Sequence, residues 1–144
     1  MKKLVGAMLL AVTAMACTQA GSYKKERDEV MKFHDVVMGD HSTIVNYQMK
    51  LDTLQQQMAA LKTRFPEIDT LKEKENIQTL LKSLTKAEDS MNDWMHKFEP
   101  DISGKSNEEA IKYFQDEKAK IVAVDSLYKK EIKSSADYFL KFKK

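Results

Sequence analysis

Met31, His34, Met38 and His41 follow one another at intervals of three, four and three residues. On a helix these four side chains fall within an arc of about 80°, so thioethers and imidazoles share one face. That donor set suits Cu(I), and a Met/His pair can also hold haem iron. If the chain turns back near Phe65, His34 and Met38 come level with the stretch around residue 94, where Met91, Trp94 and Met95 lie. The candidate metal-ligating residues are therefore His34, Met38, His41, Met91 and Met95, with copper as the implied ion. Packing competes with this reading and leads it. Methionine is an adaptable core filler, and sulfur contacts to Trp94 or Phe98 account for the cluster with no cofactor at all. His96 lies about 140° around its helix from Met91 and is expected to face water. No Cys-x-x-Cys-His occurs, which excludes haem attached through thioether bonds.

Other arrangements offer less. His34 and Asp35 are adjacent, and neighbouring side chains on a helix diverge by about 100°, so an imidazole-carboxylate pair is not expected between them. The chain has no nucleophile elbow, phosphate-binding loop or His-Glu-x-x-His. Acidic pairs such as Glu88-Asp89 and Glu108-Glu109 read as solvated surface. No catalytic residue emerges, and an enzyme is not expected.

The elements that would position these residues are helices. Val30, Val37, Ile44, Leu51, Met58 and Phe65 recur at strict seven-residue spacing, with Phe33, Tyr47, Leu54 and Leu61 reinforcing the same side. Ile77, Leu84, Met91 and Phe98 repeat that spacing, supported by Leu80, Leu81, Trp94 and Met95. A third stripe runs through Ile111, Phe114, Ile121, Val124, Tyr128, Ile132, Phe139 and Phe142, behind a capping box of Ser106 and Glu109. Breaks at Arg64-Phe65-Pro66-Glu67 and at Glu99 to Gly104 separate the three. The expected fold is all-α, an elongated up-down-up antiparallel three-helix bundle over 23–144 with coiled-coil-like seams. Its helices span about 23–63, 67–98 and 106–142. A helix of about 40 residues is roughly 60 Å long, so the expected shape is a rod.

The N-terminus points to export. Lys2 and Lys3 precede an uncharged run from Leu4 to Met15, and small residues lead into Cys17, the sole cysteine. Residues 1–16 read as a signal peptide and 17–22 as a tether. The apolar run is 12 residues, against about 20 needed to span a bilayer as a helix. Ala14-Met15-Ala16-Cys17 is similar to the lipobox of bacterial lipoproteins, with Ala14 where leucine is usual. Acylation of Cys17 would anchor the chain to a membrane, and several acyl chains at about 0.8 kcal/mol per buried methylene make such an anchor stable. It would also cap a thiol that invites stray disulfides in an oxidising compartment. Without Lys2 and Lys3 the basic count falls from 24 to 22 and equals the 22 acids, so nothing argues for nucleic acid as a partner.

The pieces His34-Asp35-Val36-Val37-Met38 and Met91-Asn92-Asp93-Trp94-Met95-His96-Lys97-Phe98 resemble a group of small uncharacterised helical lipoproteins of Bacteroidetes-type bacteria, often mislabelled as viral inclusion-like proteins. The chain departs from them at Gly39-Asp40, where the group continues with a proline-containing segment. The resemblance covers the first two helical segments and implies envelope localisation with no established activity. Together these readings predict a non-enzymatic lipoprotein, lipid-anchored in the bacterial cell envelope, at the outer membrane and facing the periplasm or the surface. There it would bind or brace an envelope protein, through apolar surface left around Tyr23, Tyr113 or Tyr138. A Met/His metal-binding lipoprotein is the alternative.

Overall fold

A computed structural model of the chain describes residues 21–143. Cys17, the expected signal over 1–16 and Lys144 lie outside the described residues. Those described are all-helical with no strand: α1 (Tyr23–Gln56), α2 (Met58–Arg64), α3 (Thr70–Lys97) and α4 (Asn107–Leu140). None of these helices is long and apolar enough to cross a membrane.

The seven-residue spacing works as a burial code in α1 and α2. Val30, Val37, Ile44 and Leu51 are wholly buried, and Met58 and Phe65 nearly so. Three of these are β-branched, a poor choice for a helix by up to about 0.7 kcal/mol each. Burying each side chain returns about 1.5–3 kcal/mol, so packing overrides propensity. Ile77, Leu84 and Met91 continue the code in α3, with Ala87 and Trp94 three residues after Leu84 and Met91. In α4 the fully packed line is Ala110, Phe114, Glu117, Ile121, Val124, Tyr128, Glu131, Ser135 and Tyr138, at alternating steps of four and three. This differs from the expected apolar stripe, because Ile111, Ile132, Phe139 and Phe142 are only half-buried while Glu117, Glu131 and Ser135 occupy seam positions.

Two helices replace the single one expected over 23–63. The break falls at Gln57 (φ −93°, ψ 21°), a position with neither glycine nor proline nearby. Backbone bonding passes through the joint, since the Gln57 N–H donates to the Thr53 carbonyl at 3.0 Å and its carbonyl accepts from the Leu61 N–H at 2.9 Å. One turn earlier the Thr53 hydroxyl donates to the Met49 carbonyl at 2.8 Å, a back-bond that bends helices.

Each connection is built from local polar groups. Lys62 donates from Nζ to the carbonyls of Pro66 (2.6 Å) and Ile68 (2.7 Å), and Asp69 then caps α3 by accepting from the N–H groups of Leu71 and Lys72. The second connection turns at Gly104, whose φ of +86° is open to glycine at little cost. The expected capping box starts α4. The Glu109 N–H donates to Ser106 Oγ, and the Ser106 N–H donates to Glu109 Oε2, which holds the Glu109 carboxyl below the usual carboxylate range.

Ring contacts give the helix directions. Tyr23 stacks on Phe114, Tyr47 on Phe139, and Phe65 meets Phe142 edge-on, so α1 followed by α2 runs alongside α4 in the same sense. His34 faces Trp94, and Glu73 reaches Tyr138, so α3 runs against both. At the shared start of α1 and α4, Asn107 accepts from the Tyr23 N–H and donates to the Gly21 carbonyl.

Candidate functional site

The methionines and histidines singled out as ligands divide by burial. Met91 is 1% exposed, in the core. Met38 and Met95 are 40% and 38% exposed, and Met31 is similar. The His34 ring lies 6.1 Å from the Trp94 ring, which stacks on Phe98 at 4.8 Å. His34 Nδ1 also sits 3.0 Å from Asp35 Oδ1, which corrects the expectation that neighbours on a helix could not pair. The Cα–Cβ directions diverge, but both side chains reach the surface, where rotation about χ1 and χ2 brings their tips together. His96 is exposed, as its angular position required. Among the described residues no three His, Cys, Asp or Glu side chains gather as a metal-binding group.

His41 belongs to a different arrangement. Its Nδ1 lies 3.4 Å from Tyr128 Oη and its Nε2 lies 3.8 Å from Glu88 Oε1, while Gln48 Nε2 donates to Glu88 Oε2 at 3.2 Å. This polar layer joins all three long helices. Tyr128 is completely buried, and burial, followed by the Glu88 charge, pushes its hydroxyl up to about 12. Glu88 therefore departs from the solvated surface expected for it. Its partners are 40 and 47 residues away in sequence, a separation that no local spacing signals.

A second polar contact ties α3 to α4 further along. Tyr138 Oη donates to Glu73 Oε2 at 2.7 Å, and Glu73 is also approached by Asn76 Nδ2 at 3.4 Å and Lys141 Nζ at 3.8 Å. Burial and the Glu73 carboxylate both raise the Tyr138 hydroxyl far above its ordinary value. Lys141 lies over the same ring, 4.7 Å from its centroid. The buried carboxylates of α4 are matched by lysines of their own helix: Glu117 by Lys120 at 2.6 Å, Asp125 by Lys129 at 2.7 Å and Glu131 by Lys130 at 3.0 Å. Ser135 Oγ and Asp125 Oδ1, by contrast, are buried without a hydrogen-bond partner among the described residues.

The tyrosines expected to leave an apolar patch do not. Tyr23 is half-buried against Phe114, Tyr113 accepts from the Glu99 N–H at 2.8 Å and stacks near Phe98, and Tyr138 is buried. These rings pack because each hydroxyl or ring edge finds a neighbour across a helix junction. The apolar surface lies elsewhere. Met49 and Leu140 are more than half exposed, and three adjoining cavities of about 260, 450 and 220 Å³ run along the groove between α1–α2 and α4 at that end. Phe139 and Phe142 are shared between adjacent cavities, so the groove is continuous.

No family model, curated protein or solved structure matches this chain.

Proposed function

We propose that the chain is a non-enzymatic lipoprotein of the bacterial cell envelope, anchored through lipid on Cys17, whose helices form a partner-binding or scaffolding rod. In this reading α2 continues α1, and the fold is an elongated up-down-up antiparallel three-helix bundle. The seams filled at every seventh residue of α1 and α2 support it, as does the ring pairing that aligns α1 with α4 and reverses α3. The observation that carries the binding role is the groove beside Met49 and Leu140. Apolar side chains remain in contact with water there although the interior is packed, which marks a surface for association. The anchor draws support from the order of charge, apolar run and cysteine at the N-terminus, and from the first helix cap, Ser22, standing five residues after Cys17.

Mass spectrometry of the mature protein tests the anchor. An acylated Cys17 at the N-terminus is expected, together with release of a Cys17→Ser variant from the membrane fraction. An unmodified cysteine would remove the anchor.

The exposed thioethers favour a second reading, Cu(I) binding. Met31, His34 and Met38 lie on one face of α1 and keep access to solvent, and Met95 adjoins Trp94 on the helix opposite. His41 is engaged by Tyr128 and Glu88, and Met91 is enclosed, so these two contribute least. Titration of the mature chain with Cu(I) should show one saturable site lost in His34→Ala and Met38→Leu and kept in Met91→Leu. Absence of saturable binding would end this reading.

A further inference from the structure

The groove between α1–α2 and α4 has an unusual charge distribution for a chain whose acids and bases balance. Lys50, Arg64 and Lys143 line it, and no acidic residue does. The other polar side chains lining it are neutral, among them Asn46, Thr53 and Gln57. Elsewhere several lysines are matched by a carboxylate, as Lys32, Lys112 and Lys133 are. Lys50, Arg64 and Lys143 form no ion pair among the described residues. Lys50 instead lies 5.5 Å from the centre of the Tyr47 ring, and Arg64 lies 5.5 Å from that of Phe65. Lys50 and Arg64 are thus held beside aromatic rings that line the groove, Tyr47 and Phe65, with Phe139 and Phe142 completing its apolar lining.

We infer that this groove receives an acidic amphipathic helix of a partner protein, a proposal that rests on the binding role above. One wall is α1 continued by α2, whose lining residues step by three and four from Asn46 to Arg64, and the other is the last turn of α4 with Phe142 and Lys143 beyond it. A helix laid along the first wall meets ridges at its own spacing. From Tyr47 to Arg64 the groove is about 25 Å long, which accommodates four to five helical turns. Leucines on the docked face would enter the cavities, and glutamates or aspartates flanking them would meet Lys50, Arg64 and Lys143. A second copy of this chain fits poorly, because a two-fold contact through this face would bring six cations together. A flat anionic bilayer would meet the cations but leave the concave floor unfilled.

The test places a photo-crosslinking amino acid in the full-length lipoprotein in the producing cells, at Met49 and at Leu140 in the groove, and at Leu71 and Met38 on other faces. Groove crosslinks are expected to map to an acidic amphipathic helical segment of another protein. The double variant Lys50→Glu with Arg64→Glu should reduce them at least tenfold while leaving the circular dichroism spectrum and melting temperature within error of the parent. Crosslinks to lipid alone, to a second copy, or to a basic or extended segment would overturn the proposal, as would crosslinks that survive the charge reversal. Protein crosslinks from Leu71 or Met38 but none from the groove would refute the groove and leave the binding role standing. No protein crosslink from any of the four positions would refute both.

Discussion

Replacing Tyr138 with phenylalanine removes one oxygen from the α3–α4 contact and keeps the ring. The hydroxyl donates to Glu73 at 2.7 Å, and the Glu73 side chain is only 12% exposed. A hydrogen bond to an ionised acceptor contributes about 1.5–3 kcal/mol. Without it Glu73 keeps Lys141 at 3.8 Å and Asn76 at 3.4 Å, both weaker, and water has little access. No cavity larger than an oxygen forms. A loss of about 2 kcal/mol is therefore expected at pH 7, which for a domain of this size lowers the melting temperature by roughly 5–10 °C. Urea unfolding should show a lower midpoint with an unchanged slope. The same substitution has an alkaline signature. In the folded protein the Tyr138 hydroxyl ionises well above its unfolded value near 10, so the stability it contributes is full below pH 10 and drains as pH rises beyond it. Tyr128, raised to about 12, drains stability over the same range in both proteins. Between pH 10 and 11 the phenylalanine variant should lose stability more slowly than the parent, by up to about 1.4 kcal/mol per pH unit. A cost under about 0.5 kcal/mol at pH 7, or parallel alkaline slopes, would show that the contact carries no weight.

Two further substitutions test the packing. Ser135→Ala removes a buried hydroxyl that lacks a partner and adds helix propensity, so unfolding in urea should show a gain of about 1 kcal/mol. Gly39→Ala adds a methyl where no atom lies within 4 Å, inside α1, and should stabilise by about 0.5–1 kcal/mol in calorimetry.

How far the sequence could be read depended on which residues carried the period. Along α1 and α2 the period was carried by Val30, Val37, Ile44, Leu51, Met58 and Phe65, all apolar, so the buried face was visible. Along α4 the same period passes through Glu117, Glu131 and Ser135, and polar types at seam positions hid it. The apolar neighbours Ile132 and Phe139 drew the expected stripe to one side. The cap at Ser106 was readable because both of its partners lie within four residues. The joint at Gln57 was not, since its nearest cause is a threonine hydroxyl choosing a carbonyl one turn back. The candidate sites follow the same rule. Spacing placed His34, Met38 and His41 on one helix, but His41 finds Tyr128 across 87 residues of chain. The cations of the groove, Lys50, Arg64 and Lys143, come from α1, α2 and the turn that follows α4, and acquire a common meaning only when the end of α4 lies beside α1 and α2.

The clamp at Asn107 bears on the order in which the molecule can be completed. It joins the beginning of α1 to the beginning of α4 across 84 residues, and α1 packs more extensively on α4 than on any other helix. While the ribosome is still making α3, the α4-facing side of α1 has nothing to cover it. The early helices can form, but the interior closes only when the final third of the polypeptide has emerged, and long-range closure of this kind slows folding. For the exported precursor proposed above, that delay has a use: the chain stays pliable through synthesis, the condition in which it could be threaded out of the cytoplasm.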